Sequence, residues 1–137
     1  NCWVSAGAQQ NKNIAIVNME YEAQPGLELH DLIVRIPIVA KGQPVIQSCQ
    51  GETYFDVKNS VLEWSVPLID SSNLNGTLDF ELEQWKANDT AHFFPINVKF
   101  TSASSLCQLR PVQVFNGDQP VKFSSHSVVT VESYTLE

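Results

Sequence analysis

Hydrophobic and polar residues alternate with a period of two along most of this chain. The clearest stretch is TLDFELE (77–83), in which three apolar side chains alternate with acidic ones. The same alternation runs through IAIVNMEYE (14–22), DLIVRIPI (31–38) and SVLEWSVPLI (60–69). A period of two sends successive side chains to opposite faces, so these segments predict antiparallel strands with one buried face.

Short strands separated by turns continue to the end of the chain. Strand patterns recur in FFPINVKF (93–100), LRPVQVF (109–115) and SVVTVESYTL (127–136). Turn-forming residues occur at 25–26, 41–44, 57–59, 73–76 and 116–118, and four prolines that mark strand edges, bulges or starts are Pro37, Pro67, Pro95 and Pro111. The least patterned segment is EQWKANDTAH (83–92), which predicts a loop or one helical turn. Seven or more such strands predict an all-β fold, an antiparallel β-sandwich.

Charge and length narrow the classes of partner. The chain has 137 residues, enough for one domain with its own core, and a net charge of −7. Its eight basic residues are scattered singly, so we expect no nucleic-acid binding and no direct attraction to an anionic membrane.

Three widely spaced cysteines, Cys2, Cys49 and Cys107, indicate a reducing compartment, because disulfide frameworks are denser and even in number. We therefore expect a cytosolic protein. The alternative is a secreted or cell-surface adhesion-type sandwich, glycosylated at the sequons of Asn75 and Asn88.

Residues that could carry catalysis are isolated from one another. His30 and Asp31 are neighbours and would point to opposite faces of a strand, and the sequence has no zinc, phosphate-loop or calcium-loop motif. We therefore expect no enzyme activity, no metal and no cofactor. A hydrolase using a serine from 101–105 or 124–127 is the rival hypothesis. Of the three tryptophans, Trp64 is predicted to be a core residue, whereas Trp3 and Trp85 could line a groove.

The longest distinctive stretch, LEWSVPLIDSSNLNGTLDFEL (62–82), followed by FFPINVKF, resembles the C-terminal μ-homology domain of coatomer delta subunits. NCW (1–3), MEYE (19–22), LELHDLIVRIPI (27–38) and PVIQSCQGETYFD (44–56) extend the resemblance over the whole chain. More distantly, the chain is similar to the medium (μ) subunits of clathrin adaptors.

This resemblance implies a β-sandwich of the μ-homology type, in which one subdomain is inserted into another. By it, residues 1–98 would form the inserted subdomain, and 99–137 would be returning strands of a first subdomain whose N-terminal half is absent from this chain. Adaptor μ subunits bind Tyr-based peptides through a Trp-x-Arg pair. The corresponding positions here are Ser124 and His126, so we do not expect that activity.

The resemblance to coatomer delta subunits implies a different ligand. This ligand would be a short, acidic, Trp-containing peptide of a tethering or Arf-GAP protein. The resemblance further implies a non-enzymatic subunit of the COPI coat in retrograde Golgi-to-ER transport. It would be cytoplasmic, peripheral on Golgi membranes and COPI vesicles, and would bind other coatomer subunits and contact membrane only indirectly. An indole needs an apolar pocket and the acid a basic group. The candidate residues are Lys99, Phe100, Arg110, Lys122, Phe123 and His126.

Overall fold

The computed structural model describes residues 2–9, 12–39, 42–83, 90–103 and 111–137. Within those ranges the chain forms eleven strands and one 3₁₀ turn: β1 (Cys2–Gln9), β2 (Lys12–Glu22), β3 (Leu29–Pro37), β4 (Val45–Cys49), β5 (Glu52–Asp56), β6 (Val61–Ile69), β7 (Asn75–Glu83), the turn Thr90–Phe93, β8 (Ile96–Ser102), β9 (Val114–Asn116), β10 (Gln119–Val121) and β11 (Val129–Leu136). No helix in the described part is long and apolar enough to cross a membrane. The predicted all-β fold is confirmed.

The strands form two antiparallel sheets and a separate hairpin. One sheet has four strands in the order β1-β2-β7-β4, and the other has five in the order β11-β8-β3-β6-β5. Among the described strands, β9 and β10 pair only with each other. Most neighbours in a sheet are distant in sequence, so the sandwich depends on long-range pairing.

The inner faces of the two sheets supply one hydrophobic core. Its largest fully buried side chains are Trp64, Phe80, Phe93, Ile36, Ile38, Leu62, Ile69, Leu78, Leu82, Ile96 and Val17. In β7 the apolar positions of TLDFELE are buried and the acidic ones are not, as the alternation predicts. The Tyr21 ring from the four-stranded sheet meets Trp64 of the other at 5.7 Å between centroids.

A short link between β4 and β5 joins the edges of the two sheets. The Trp64 indole N–H donates to the Gln50 carbonyl at 2.8 Å, and the Gln50 and Thr77 backbones are bonded at 2.9 Å. Gly51 has φ +105°, and a Cβ there would lie 2.3 Å from the Ser65 carbonyl oxygen. Only glycine fits this crossing without a backbone shift.

The structure corrects one predicted turn. The turn spans residues 70–73, and Asn75 and Gly76 already belong to β7. A Cβ on Gly76 would lie 2.2 Å from the Tyr21 ring, so this glycine permits close packing within a strand. The predicted turns at 25–26 and 116–118 are confirmed, with Gly26 and Gly117 at positive φ.

Candidate functional site

Strand β8 carries two of the predicted site residues on opposite faces. Val98 and Phe100 are half-buried and pack against the core. Lys99 lies between them, exposed on the outer face of the five-stranded sheet. It makes no ion pair with another described residue. A short peptide on one face therefore cannot contact both the Lys99 and the Phe100 side chains.

Both neighbours of β8 have an irregular register beside these residues. The pairing of β3 with β8 shifts between His30 and Ile33, and the pairing of β11 with β8 shifts between Val131 and Tyr134. Asp31 in the first irregularity has φ +52°, an uncommon conformation for a residue other than glycine. Bulges re-aim side chains and are frequent beside binding sites.

The polar groups next to the first bulge bond to one another. The His30 ring Nε2 lies 2.8 Å from Glu28 Oε1, and the Ser102 hydroxyl donates to the Glu28 carbonyl at 2.7 Å. The Thr101 hydroxyl donates to the His30 carbonyl at 3.3 Å. His30 thus pairs with Glu28 and not with its neighbour Asp31. Ser102 is buried and already donates its proton to a main-chain oxygen, which is not the geometry of an activated nucleophile.

Three other predicted site residues lie in the segment that enters β11. Lys122 and Phe123 follow β10 directly, and His126 lies three residues further on. All three are exposed, with 42% of Phe123 accessible. No hydrogen bond or ion pair joins these residues to one another in the described structure. Arg110 lies outside the described residues. These three residues are thus close in sequence, whereas Lys99 belongs to β8 and is exposed on its outer face.

Two residues that the sequence reasoning missed share the face of Phe100. β11 pairs Val131 with Phe100 and Tyr134 with Val98, and directly paired residues of antiparallel strands project to the same side. Tyr134 is 57% exposed although it lies on this inner-facing side. The result is an apolar surface, Val98, Phe100, Val131 and Tyr134, that we call the β8–β11 face. The alternation in the sequence of β11 predicts a strand there, but only the register of its pairing with β8 places Val131 and Tyr134 beside Phe100 and Val98.

The structure describes only some of the sequons, cysteines and tryptophans on which the alternative hypotheses depend. Asn75 is exposed at the start of β7, whereas Asn88 lies outside them. Cys49 is a free thiol whose pKa is raised by burial. The side chains of Trp3, Trp85 and the other two cysteines also lie outside the described part. No group of three or more potential metal ligands occurs within it.

Comparison with curated proteins gives a consistent set of relatives. The chain is 38% identical over 142 residues to coatomer subunit delta of Arabidopsis thaliana, which covers 99% of this chain and 25% of that protein. It is 30% identical over 139 residues to coatomer subunit delta of Dictyostelium discoideum, covering 100% of this chain and 24% of the relative. The chain thus spans about a quarter of the length of these relatives.

Solved structures give the same fold. The yeast delta-COP-I mu-homology domain superposes with a TM-score of 0.66 at 20% identity, covering 99% of this chain and 55% of that one. The same yeast domain in complex with a Dsl1 WxWxV peptide superposes with a TM-score of 0.64 at 20% identity and the same coverage. The sequence profile of the adaptor complexes medium subunit family matches residues 1–137. The chain belongs to that family, as its resemblance to coatomer delta and adaptor medium subunits predicted.

Proposed function

We propose that this chain is a non-enzymatic domain of a coatomer delta subunit that binds short, acidic, Trp-containing peptides. The partners are tethering and Arf-GAP proteins in retrograde Golgi-to-ER transport, together with other coatomer subunits. The domain acts in the cytoplasm, on Golgi membranes and COPI vesicles, and contacts membrane only through the coat.

The observation that carries this proposal is the family match over residues 1–137, joined to relatives that are coatomer delta subunits. The yeast domain of the same fold binds a peptide with two tryptophans. Charge supports a protein partner over nucleic acid, because a net charge of −7 repels phosphate.

For the indole we propose the β8–β11 face. Phe100 and Tyr134 provide aromatic walls, and Val131 of β11 lies directly opposite Phe100. The segment that leads into β11 supplies a cation from Lys122, a polar imidazole from His126 and a further aromatic ring from Phe123. Arg110 stays a candidate, and Lys99 is assigned to the opposite face, where it would contact only a peptide bound on the outside of the sheet.

Isothermal titration with a Trp-containing acidic peptide tests binding. We expect a dissociation constant in the micromolar range or weaker, which corresponds to a binding free energy of about −8 kcal/mol or less negative. Added salt should weaken binding, because exposed charges are screened over roughly 8–10 Å at moderate ionic strength. A peptide with both tryptophans replaced by alanine is the control. No heat at millimolar peptide would overturn the proposal.

Once binding is found, three single substitutions test which face of the sheet holds the peptide. Lys122→Glu should weaken binding several-fold, whereas Lys99→Glu on the opposite face should change it less than twofold. Tyr134→Ser should also weaken binding, and because this side chain is 57% exposed the fold should tolerate the change. The reverse ranking of the two lysines would move the site to the outer face of the sheet.

We further propose that residues 99–137 return to a subdomain whose other half lies outside this chain. The supporting observation is a set of exposed apolar side chains in the last third of the sequence: Val112, Val114, Phe115, Val121 and Val128. Exposed apolar residues concentrated in 111–128 are expected if further chain, outside this sequence, normally covers that surface. A longer chain in which these residues become protected from hydrogen exchange would support the assignment.

A further inference from the structure

The outer face of the four-stranded sheet carries an acidic residue between two exposed aliphatic ones. Glu81 of β7 pairs directly with Ile16 of β2 on one side and with Val45 of β4 on the other. Paired residues project to the same face, so the three side chains form one row across the sheet. Ile16 is 41% exposed and Val45 is 49% exposed. We call this row the Glu81 row.

Glu81 has no partner of its own in the described structure. Its side chain is half-buried, and it makes no hydrogen bond or ion pair with another described residue. A neighbouring carboxylate, Asp79, by contrast accepts a hydrogen bond from the Asn18 amide. A half-buried carboxylate flanked by aliphatic groups would gain from a cation that reaches it as water is excluded.

Acidic residues predominate on the face that contains this row. Five acidic residues share its face by alternation and register: Glu20, Glu22, Asp79, Glu81 and Glu83. Glu20 and Glu83 already interact within the chain, so they contribute only to the field of the face. By the same alternation Lys12 occupies a position on this face, at the start of β2, so five acidic residues stand against one basic position. The other described basic residues lie elsewhere, at Arg35, Lys58, Lys99 and Lys122. The face therefore favours a basic partner.

The spacing of the row matches a helix lying across the strands. Neighbouring strands are about 4.8 Å apart, so Ile16 and Val45 are separated by two spacings, or about 10 Å. Residues seven apart on one helix face are also about 10 Å apart, at about 1.5 Å per residue. A basic residue three or four positions after the first lies between them on the same face.

We propose that the Glu81 row docks a basic amphipathic helix of a partner protein. The helix presents one Lys or Arg to Glu81, with apolar residues seven positions apart seated on Ile16 and Val45. This surface is on the opposite sheet from the β8–β11 face, so the proposal is independent of Trp-peptide binding.

A designed peptide provides the test. The probe is a fluorescent, helix-stapled 15-residue peptide of Ala and Gln, with Leu at its fourth and eleventh positions and Lys at its eighth. We expect saturable anisotropy with the native chain, and a loss of at least about tenfold in affinity with Glu81→Lys. The matched control is Glu52→Lys, which reverses an exposed charge on the other sheet and should change affinity less than twofold.

Charge exchange distinguishes docking from general attraction. A peptide carrying Glu at its eighth position should bind the Glu81→Lys chain better than the native chain. Replacing Ile16 and Val45 by Ser should also weaken the original peptide, since both apolar seats are lost. Equal losses for Glu81→Lys and Glu52→Lys, no restoration by the exchanged pair, or no binding at millimolar peptide would each overturn the proposal.

Discussion

At the scale of single residues, Trp64 combines a packing role with a polar one. The alternation predicts a core position, and the side chain is 2% exposed. Its N–H donates to the Gln50 carbonyl at 2.8 Å. Trp64→Phe keeps an aromatic ring but leaves this acceptor unpaired, so we expect the free energy of unfolding in urea to fall by about 1–3 kcal/mol. Tyr54→Phe, at a 67% exposed ring, should change it by less than about 0.5 kcal/mol. Equal effects would contradict the role of the bond.

Gly51 and Gly26 allow strain and steric clash to be separated. Both have positive φ, at +105° and +86°, but an added Cβ meets the Ser65 carbonyl only at Gly51. Gly26→Ala should therefore cost about 1 kcal/mol of stability, and Gly51→Ala clearly more, because strain and overlap add there. Thermal unfolding of the two variants measures the difference. Equal midpoints would show that the Gln50–Gly51 link relaxes around a methyl group.

The sequence predicts that Trp64 is buried, but it does not predict that position 51 requires glycine, and the reason is physical. Trp64 lies in a regular strand, whose alternation alone decides which face is buried. The requirement for glycine at Gly51 comes from Ser65, fourteen positions away, and is invisible in local sequence. Its contact exists only once β5 and β6 have paired.

At the scale of elements, strands with a clear alternating pattern were predictable, whereas three of the four edge strands of the two sheets, β1, β4 and β5, were not. β2, β3, β6, β7, β8 and β11 all fall on alternating segments. β4 and β5 are edge strands whose sequences, VIQSC and ETYFD, show mixed exposure, so the hydrophobic signal is weak. β1, CWVSAGAQ, is rich in small residues. These strands are specified by pairing with long neighbours more than by their own pattern.

The turns next to β6 are held by carboxylates. The pKa of Asp56 is lowered mainly by hydrogen bonds from the Asn59 side chain and backbone, and the pKa of Asp70 by bonds from Ser72. A pKa that is lower in the folded state adds stability above the unfolded value, and this stability is lost as the pH falls through the folded value. We therefore expect urea midpoints to fall below about pH 4, with a smaller fall in Asp56→Asn. NMR titration showing ordinary pKa values at both residues would contradict this.

At the scale of the whole molecule, the fold follows from the sequence while the site does so only in part. Alternation defines two-faced strands, and two-faced strands bury one face by stacking sheets. The candidate site depends on register: adjacent residues Lys99 and Phe100 diverge, whereas Phe100 and Val131, far apart in sequence, converge. Register is set by long-range pairing and by bulges such as that at Asp31, neither of which has a local signature.

The last prediction concerns the independence of the β9–β10 hairpin from the two-sheet body. Within the described part of the chain its strands pair only with each other, and Val114, Phe115 and Val121 are exposed, so opening it should not disturb the core. We expect hairpin amides to exchange with deuterium much faster than those of β3 and β6. Changing the three apolar residues to Ser should shift the free energy of unfolding by less than about 0.5 kcal/mol. A large loss of stability would mean that this hairpin already packs against its own domain. The hairpin would then offer no exposed apolar surface for further chain to cover, and that proposal would lose its support.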